Sequence, residues 1–240
     1  MDRSGTPNHL LAILPSRDRR RLMSRCQEVE ITEGEVFSTQ GARIRHAHFP
    51  ISGIISTQIP FGNYLSLQVE LTGTEGMIGL PLVFGVSTAM LDRHVHSSGA
   101  ALRVTAACLR EELRLSRALR DILGRYACVL RAQLAETVGC NSFHLLEARL
   151  ARCLLETLDR AHSKQFHLTH AVLGKVLGVR RESITSAASN LQKRDLIRYS
   201  RGGIKIIDRT GIEKAACRCY ASAKKTYEHY LGTQPKAHDD

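Results

Sequence analysis

The stretch RRESITS, residues 180–186, carries side chains that can read the base edges of DNA. On a helix, Arg181 can donate two hydrogen bonds to O6 and N7 of guanine, and Glu182 can accept one from the amino group of cytosine. Thr185 and Ser186 lie about one turn later, where a hydroxyl can bond either kind of base. These four residues are the predicted base-reading surface.

Basic and hydroxyl side chains around this surface predict contacts with the phosphate backbone of DNA. Positive charge and free N–H groups at the start of a helix attract phosphate, and such contacts fix register without reading sequence. Residues 197–208, IRYSRGGIKIID, alternate apolar and polar side chains around two glycines, which predicts a β-hairpin, here called the wing. The predicted phosphate contacts are Thr169, Arg180, Ser183, Arg198, Arg201 and Lys205.

Two short helices are expected to position the base-reading residues. The buried residues of the first helix, over residues 170–177, are predicted to be Val172, Leu173, Val176 and Leu177, and those of the second Ile184, Ala187, Ala188 and Leu191. Thr169 is the expected cap of the first helix. Gly174 lets the second helix cross closely, and Gly178 ends the first helix because glycine has no Cβ to oppose the left-handed conformation. The pattern predicts a helix-turn-helix, whose second helix enters the major groove.

The charge of the chain favours a polyanionic partner. The formal net charge is +11, and the last 90 residues hold 17 basic against 9 acidic side chains. Such an excess attracts nucleic acid or an anionic membrane. The longest apolar run, residues 77–86, is far shorter than the roughly 20 residues of a spanning helix, and the N-terminus lacks a secretory signal. We therefore expect a cytoplasmic protein. Charge alone does not choose between the two partners, but together with the helix-turn-helix pattern it leads us to expect double-stranded DNA and no membrane.

The sequence before residue 110 has a different pattern and predicts a separate domain. Residues 8–25 have helical periodicity with a break at Pro15-Ser16, and residues 27–107 form short β-rich pieces separated by glycines. This is typical of a compact β-barrel or β-roll, whose interior can hold a small ligand. We predict an α+β fold with four parts: a β-roll sensor domain with N-terminal helices (1–110), a long dimerisation helix (111–139), a winged helix-turn-helix (140–225) and a C-terminal tail (226–240).

Two apolar stripes run along the predicted long helix. The first, assigned to the protein's own β-domain, contains Leu115, Leu119, Ile122, Tyr126 and Val129. The second, assigned to the partner helix of a homodimer, contains Leu123, Ala127, Leu130, Leu134, Thr137 and Val138. Internal packing of both stripes is the alternative, because the second covers little more than two heptads. The helix is expected to break at Val138–Asn141, and another helix follows over Leu145–Ala161.

The segment LTHAVLGKVLGVRRESITSAASNLQKRDLI, residues 168–197, resembles the winged helix-turn-helix of the Crp-Fnr family of bacterial transcription regulators. PISGIIS and GTEGMIGLPLVFG resemble segments of that family's cyclic-nucleotide-binding-like β-roll. The two-striped helix resembles its dimerisation helix, and ARLARCLLETL (148–158) resembles the first helix of its DNA-binding domain. The resemblance implies a regulator that binds near-palindromic operators as a homodimer and is not an enzyme, with RNA polymerase as a possible further partner.

The recognition helix departs from the family pattern at one position. In the family's best-known member, an Arg-Glu pair is followed one turn later by a second arginine. Arg181 and Glu182 match the pair, whereas Ser186 stands where the second arginine would be. The resemblance therefore leaves the operator sequence open.

The region of the β-roll that binds the effector in the Crp-Fnr family departs further from the family pattern. Cyclic-nucleotide-binding members place a glutamate after a glycine for the ribose and an arginine for the cyclic phosphate. Here Leu80 follows Gly79, and residues 87–91, STAML, contain no arginine. Such members also have two successive hydroxyls on the dimerisation helix, and here Thr137 retains one while Val138 replaces the other. An anionic phosphate without a cationic partner is poorly stabilised, so we expect no tight binding of cyclic AMP or cyclic GMP.

No cofactor or metal is predicted. Seven scattered cysteines in a chain without an export signal indicate reduced thiols. Iron-sulfur members of the family hold a cluster on closely spaced N-terminal cysteines, and only Cys26 lies in that region. Cys217 and Cys219 form a lone Cys-x-Cys without a second pair. The pairs His46–His48 and His94–His96 could ligate haem or metal from one side of a strand, but surface histidines are the preferred interpretation.

Two other functions remain open at this point. A glycine-rich β-roll with His-x-His could be a cupin-like metal enzyme, although HVHSSGAALRV lacks the glutamate that usually completes such a site. The β-roll could also serve a redox or gas sensor that binds haem. Neither a nucleophile motif nor a phosphate-cradling glycine loop is recognisable elsewhere in the sequence.

Overall fold

The computed structural model describes residues 6–61, 65–161, 165–200 and 203–232. The chain forms two compact units. Unit 1 runs to Thr57, resumes over Glu70–Arg131 and continues from Thr226, and unit 2 contains Gln58–Val69 and Ala132–Lys225. In the described ranges, no helix is both long enough and apolar enough to cross a membrane.

The first part of the chain contains two short helices and seven strands. The elements are α1 (His9–Ala12), α2 (Ser16–Met23), β1 (Gln27–Ile31), β2 (Val36–Ser38), β3 (His46–Pro50), β4 (Ile54–Phe61), β5 (Leu65–Thr72), β6 (Asp92–Ser97) and β7 (Gly99–Thr105). They form a three-stranded sheet in the order β1-β7-β3 and a four-stranded sheet in the order β2-β6-β4-β5. A 3-10 helix, Leu80–Phe84, lies between β5 and β6. The predicted α+β fold with an N-terminal β domain is confirmed.

The alternation of side chains along β3 shows how the core of unit 1 forms. Ala47 and Phe49 are fully buried, whereas His46 and His48 on the other face are half-buried. The side chain of Asn8 caps α1 and also donates hydrogen bonds of 2.9 Å to the backbone oxygens of Pro50 and Gly76. The N-terminal helices are therefore fixed to the sheet by buried polar contacts as well as by apolar packing.

The predicted single helix over 111–139 is two helices, and its predicted end is wrong. They are α3 (Ala106–Leu115) and α4 (Arg117–Phe143), and they separate at Ser116, whose backbone is extended. The Ser116 hydroxyl accepts a hydrogen bond from the Leu119 N–H at 3.0 Å and therefore caps α4. The helix does not break at Val138–Asn141. A glycine inside a helix costs about 1 kcal/mol, yet α4 continues past Gly139 to Phe143, and the residue after the glycine, Cys140, is buried.

The first apolar stripe packs inside unit 1, as predicted, except at its first residue. Leu119, Ile122, Tyr126 and Val129 are all buried in the core of unit 1. Leu115 is exposed, because it ends α3 and precedes the change of direction at Ser116.

The second stripe divides between the core and the surface. Leu123 is fully buried in the core of unit 1, so its assignment to a partner helix is wrong. Ala127 is half-buried, and Leu130 packs partly against the same core. Further along α4, Leu134 is 45% exposed and Val138 is 62% exposed. The stripe is thus internal at its start and open to solvent at its end.

Unit 2 contains the helices and strands of the predicted winged helix-turn-helix. They are α5 (Leu146–Ala161), β8 (Gln165–His167), α6 (His170–Leu177), α7 (Arg181–Lys193), β9 (Ile197–Ser200), β10 (Gly203–Ile206) and α8 (Arg209–Ala215). The wing strands β9 and β10 are antiparallel, and β8 joins them in the order β8-β10-β9. A continuous core joins α5, α6, α7, α8 and the wing. The third strand and α8 were not predicted.

The predicted tail, residues 226–240, is helical over its first part. The last helix, α9 (Cys219–Leu231), continues through these positions and ends where Gly232 adopts a left-handed conformation. Tyr227 and Leu231 are buried in the core of unit 1. The Tyr227 hydroxyl donates a 2.7 Å hydrogen bond to the backbone oxygen of Glu75. The rest of the predicted tail, 233–240, lies outside the described residues.

Candidate nucleic-acid interface

The turn between α6 and α7 is built on the two glycines that the sequence singled out. Gly178 has φ +65° and ends α6. A Cβ on Gly174 would lie 2.9 Å from the backbone oxygen of Val179, a distance that real Cβ atoms do not tolerate. The Thr169 hydroxyl accepts a 3.2 Å hydrogen bond from the Val172 N–H and caps α6, as predicted. The two helices therefore meet through backbone atoms, which leaves little freedom in their crossing.

The two faces of α7 separate as predicted. Its buried residues are Ile184, Ala187, Ala188 and Leu191. Its exposed residues near the N-terminus are Arg181, Glu182, Ser183, Thr185 and Ser186. On α6 the expected burial of Leu173, Val176 and Leu177 is confirmed, but Val172 is exposed and its inward assignment is wrong. Val172 lies in the first turn of α6, before the helix packs against α7.

Arg181 and Glu182 are free for an external partner. Among the described residues, neither side chain forms a hydrogen bond or an ion pair. A guanidinium with five donors and a carboxylate with two acceptor oxygens on one exposed helix face can bond to a guanine and a cytosine edge.

Thr185 is held by a contact with His170 that the sequence pattern does not predict. Its hydroxyl lies 2.9 Å from His170 Nδ1, and it donates to the Arg181 backbone oxygen at 3.1 Å. The His170 ring stacks on the Tyr199 ring, with centroids 4.2 Å apart. The Tyr199 hydroxyl also accepts a 3.2 Å hydrogen bond from the backbone N–H of His170. Burial, with the nearby charge of Arg181, lowers the pKa of His170, so the neutral ring predominates near pH 7. His170 thus links α6, α7 and the wing. No local sequence pattern predicts these contacts.

The N-terminus of α7 can bind an anion. Arg180 is its N-cap residue and provides no side-chain hydrogen bond to the first backbone N–H groups. Arg180 and Ser183 are both exposed. Unsatisfied N–H groups and the helix dipole at such an end attract phosphate, and the guanidinium of Arg180 adds a full positive charge.

The wing places two cations side by side. Arg198 on β9 lies directly opposite Lys205 on β10, and both side chains are exposed. Like charges opposite each other destabilise a strand pair, so an external phosphate would relieve an internal repulsion. The buried alternation of Ile197, Ile204 and Ile206 keeps this charged face outward. Arg201, another predicted phosphate contact, lies outside the described residues.

The histidine pairs of the β domain lie in different environments from those expected of surface residues. Burial lowers the pKa of His48 to about 3 and also lowers the pKa of His96. The His48 ring makes an edge contact with Phe37, with centroids 4.6 Å apart. His48 and His96 are therefore neutral near pH 7. Cys217 and Cys219, by contrast, meet Cys140 and His144, a group that the sequence spacing did not reveal.

Comparison with known proteins places the helix-turn-helix in a family. Residues 148–215 match the Crp-like helix-turn-helix domain. The match covers α5 to α8, including the turn and the wing described above. A search of the curated proteins gives no match to the sequence.

Solved structures share the fold of most of the chain. FixK2 from Bradyrhizobium japonicum has a TM-score of 0.69 at 13% identity, covering 80% of this chain and 98% of its own. A CRP-family transcriptional regulator from Thermus thermophilus has a TM-score of 0.67 at 13% identity, with coverage of 78% and 96%. The c-di-GMP responsive global regulator CLP from Xanthomonas campestris has a TM-score of 0.65 at 14% identity, with coverage of 81% and 100%. At these identities the likeness shows the fold alone.

Adding a methyl group at Gly174 should damage the helix-turn-helix. The new Cβ would press on the rigid backbone of Val179, and overpacking of this kind costs about 1 to 3 kcal/mol. We expect Gly174→Ala to lower the thermal midpoint of unfolding and to weaken DNA binding. The control is Gly124→Ala in α4, where a Cβ meets nothing within 4 Å. Equal midpoints for the two variants would contradict the close contact.

Proposed function

Because residues 148–215 form a Crp-like helix-turn-helix domain, we propose that this chain is a Crp/Fnr-type transcription regulator that binds near-palindromic operators as a homodimer. The observation that carries the proposal is the exposed, unpaired Arg181 and Glu182 on a helix whose opposite face is buried. Such a helix can lie in the major groove with its first turns against the base edges.

The proposal divides the contacts into two kinds. Arg181 and Glu182 read bases, with Ser186 within reach of the same groove, and Thr185 supports them through its bond to His170. Thr169, Arg180, Ser183, Arg198 and Lys205 bind phosphates on either side of the groove, and Arg201 is assigned to the same group by its position in the sequence. The phosphate contacts position the helix, and the base contacts select the site.

Dimerisation follows from the symmetry of such operators. Two recognition helices related by a two-fold axis enter successive major grooves about 34 Å apart. We assign the partner contact to the C-terminal half of α4, where Leu134 and Val138 are exposed and Leu130 is half-buried. Large apolar side chains one turn apart on a helix commonly pack against a partner helix. Thr137 contributes less, because its hydroxyl already donates to the Gln133 backbone oxygen and accepts from Arg152.

The proposed effector of the β domain is not a cyclic nucleotide. Leu80 occupies the position of the family's ribose-binding glutamate, and residues 87–91 contain no arginine. The buried Arg93 on β6 already interacts electrostatically with a carboxyl group, that of Glu70 on β5. A cyclic phosphate would therefore lose water without gaining a free cationic partner.

Replacing Arg181 and Lys205 should separate base reading from phosphate binding. Arg181→Ala should cost about 1 to 3 kcal/mol of binding free energy and relax preference at one base pair of each half-site. Lys205→Ala should weaken binding to all sequences about equally. It should also reduce the slope of the logarithm of the binding constant against the logarithm of salt concentration by about one. Selection from random duplex DNA followed by binding titrations at several salt concentrations measures both effects.

The matched control for these variants is Lys224→Ala, which removes an exposed charge from α9. It should leave base preference and salt dependence close to those of the unchanged protein. If Arg181→Ala and Lys205→Ala both changed affinity without altering base preference, the division of roles would be wrong.

Charges on the exposed end of α4 should separate the dimer. Leu134→Glu combined with Val138→Glu would bury two carboxylates without partners at the interface, which costs several kcal/mol. We expect sedimentation equilibrium to show a monomer at micromolar concentration. Arg125→Glu is the control, because nine residues along a helix place it on the opposite side from Leu134. An unchanged dimer in the double variant would remove this face from the interface.

Cyclic AMP and cyclic GMP should give no binding heat at micromolar concentrations in calorimetric titrations of the full chain. The physical reason is the missing cationic partner for the phosphate. A dissociation constant in the micromolar range for either nucleotide would contradict this part of the proposal, while leaving the DNA-binding part intact.

A further inference from the structure

Four side chains that can bind a metal ion meet in unit 2. Cys140, His144, Cys217 and Cys219 each offer one ligand atom, and these atoms all lie within 4.8 Å of one another. The Sγ atoms of Cys140 and Cys217 are 3.4 Å apart, and Cys219 Sγ lies 3.6 Å from His144 Nδ1. All four residues flank the matched domain, since two precede residue 148 and two follow residue 215.

Regular backbone holds these ligands in place. Cys140 and His144 are four residues apart at the end of α4, so their side chains share one face of the helix. The His144 N–H donates a 3.1 Å hydrogen bond to the Cys140 backbone oxygen, which continues the helical pattern to the second ligand. Cys219 is the first residue of α9, and the Cys217 N–H donates to the Ala148 backbone oxygen at 3.4 Å.

The three thiols are buried apart from the apolar cores. Cys140 is 2% exposed, Cys217 and Cys219 are each 8% exposed, and His144 is half-buried. They form a small cluster of their own, and Ala148 is the hydrophobic side chain that packs against it. Thiols that simply fill space are expected among larger apolar side chains, so this grouping points to a ligand.

Two of the distances, 3.4 and 3.6 Å, are close to those around a single tetrahedral ion, and the other ligand atoms, within 4.8 Å of one another, would have to move by at most about 1 Å. Zinc binds cysteine sulfur at about 2.3 Å and histidine nitrogen at about 2.0 to 2.1 Å, which places neighbouring ligand atoms of a tetrahedron about 3.6 to 3.8 Å apart. We propose that Cys140, His144, Cys217 and Cys219 bind one zinc ion as a closed structural site. Four protein ligands leave no open position for substrate, so the site fastens the end of α4 to the start of α9.

Two arginines suit the charge of such a site. Three thiolates and one Zn²⁺ have a net charge of −1, and both Arg149 and Arg152 on α5 interact electrostatically with Cys140. Arg152 is buried and pairs with Glu156 at 2.7 Å. Arg149 donates to the Leu177 backbone oxygen at 2.6 Å, while its buried Nε has no hydrogen-bond partner within the described ranges. The charge of Arg149 is therefore available to the site.

Metal analysis of the full chain tests the proposal. The untagged protein, purified under reducing conditions and freed of loose metal, should contain about one zinc per chain by mass spectrometry. Cys217→Ser with Cys219→Ser should weaken zinc binding more than about 100-fold, beyond the 10- to 100-fold typical of an outer-shell change. Cys128→Ser, an exposed cysteine on α4, and His229→Ala, an exposed histidine on α9, are the matched controls and should retain full zinc.

A second measurement covers the case in which the double variant fails to fold. Replacing zinc by Co²⁺ in the unchanged protein should produce the strong visible bands of a tetrahedral ion and thiolate-to-cobalt charge transfer in the near ultraviolet. These bands should disappear when zinc is added back. Neither measurement involves DNA. A negative result would therefore rule out the zinc site without affecting the proposed regulator function, and a failure to bind DNA would leave the zinc site untouched.

Several results would overturn the single zinc site. They are full zinc retention in the Cys217→Ser, Cys219→Ser variant, a Co²⁺ complex without tetrahedral bands, iron with acid-labile sulfide in place of zinc, and a metal-free protein in which Cys140 and Cys217 form a disulfide. The last outcome would identify the group as a redox pair.

Discussion

The close backbone contact between α6 and the turn that follows it is the constraint on which the proposed DNA-binding surface depends. At Gly174 there is no room for a Cβ, because the backbone oxygen of Val179 would lie 2.9 Å away. This contact fixes how α7 crosses α6, and the buried Ile184 and Leu191 then leave one direction for the exposed face. Arg181 is free to bind an external partner because the rest of its helix is so firmly packed.

The charges of unit 2 are arranged to meet an anion. Arg198 and Lys205 face each other across the wing, and the N-terminus of α7 lacks a side-chain cap. Within the isolated protein both features cost free energy, up to about 1 kcal/mol for the like-charged pair. A bound phosphate would reduce the repulsion between Arg198 and Lys205 and would accept hydrogen bonds from the N–H groups at the start of α7. The same logic applies to the half-buried Arg149, whose charge suits the proposed anionic zinc site.

The long helix α4 illustrates how one element serves different parts of a structure. Leu123 is sealed in the core of unit 1, Leu134 and Val138 are exposed, and Cys140 belongs to the buried group of metal ligands. Periodicity identifies the face of a helix on which a residue lies. It does not say what covers that face. The spacing therefore predicts one partner helix for the whole second stripe, although its first residue, Leu123, is internal.

The helix-turn-helix could be predicted from the sequence because its signals are local: two glycines, an N-cap threonine and the apolar spacing of α7 act over one or two helical turns. Features that depend on contacts between distant residues became visible only in the folded chain. Packing carried α4 past Gly139, and folding brought Cys140 to within 3.4 Å of Cys217, although 77 residues separate them in the chain. Backbone preferences are set by near neighbours, whereas contacts between distant residues exist only when the whole chain has packed.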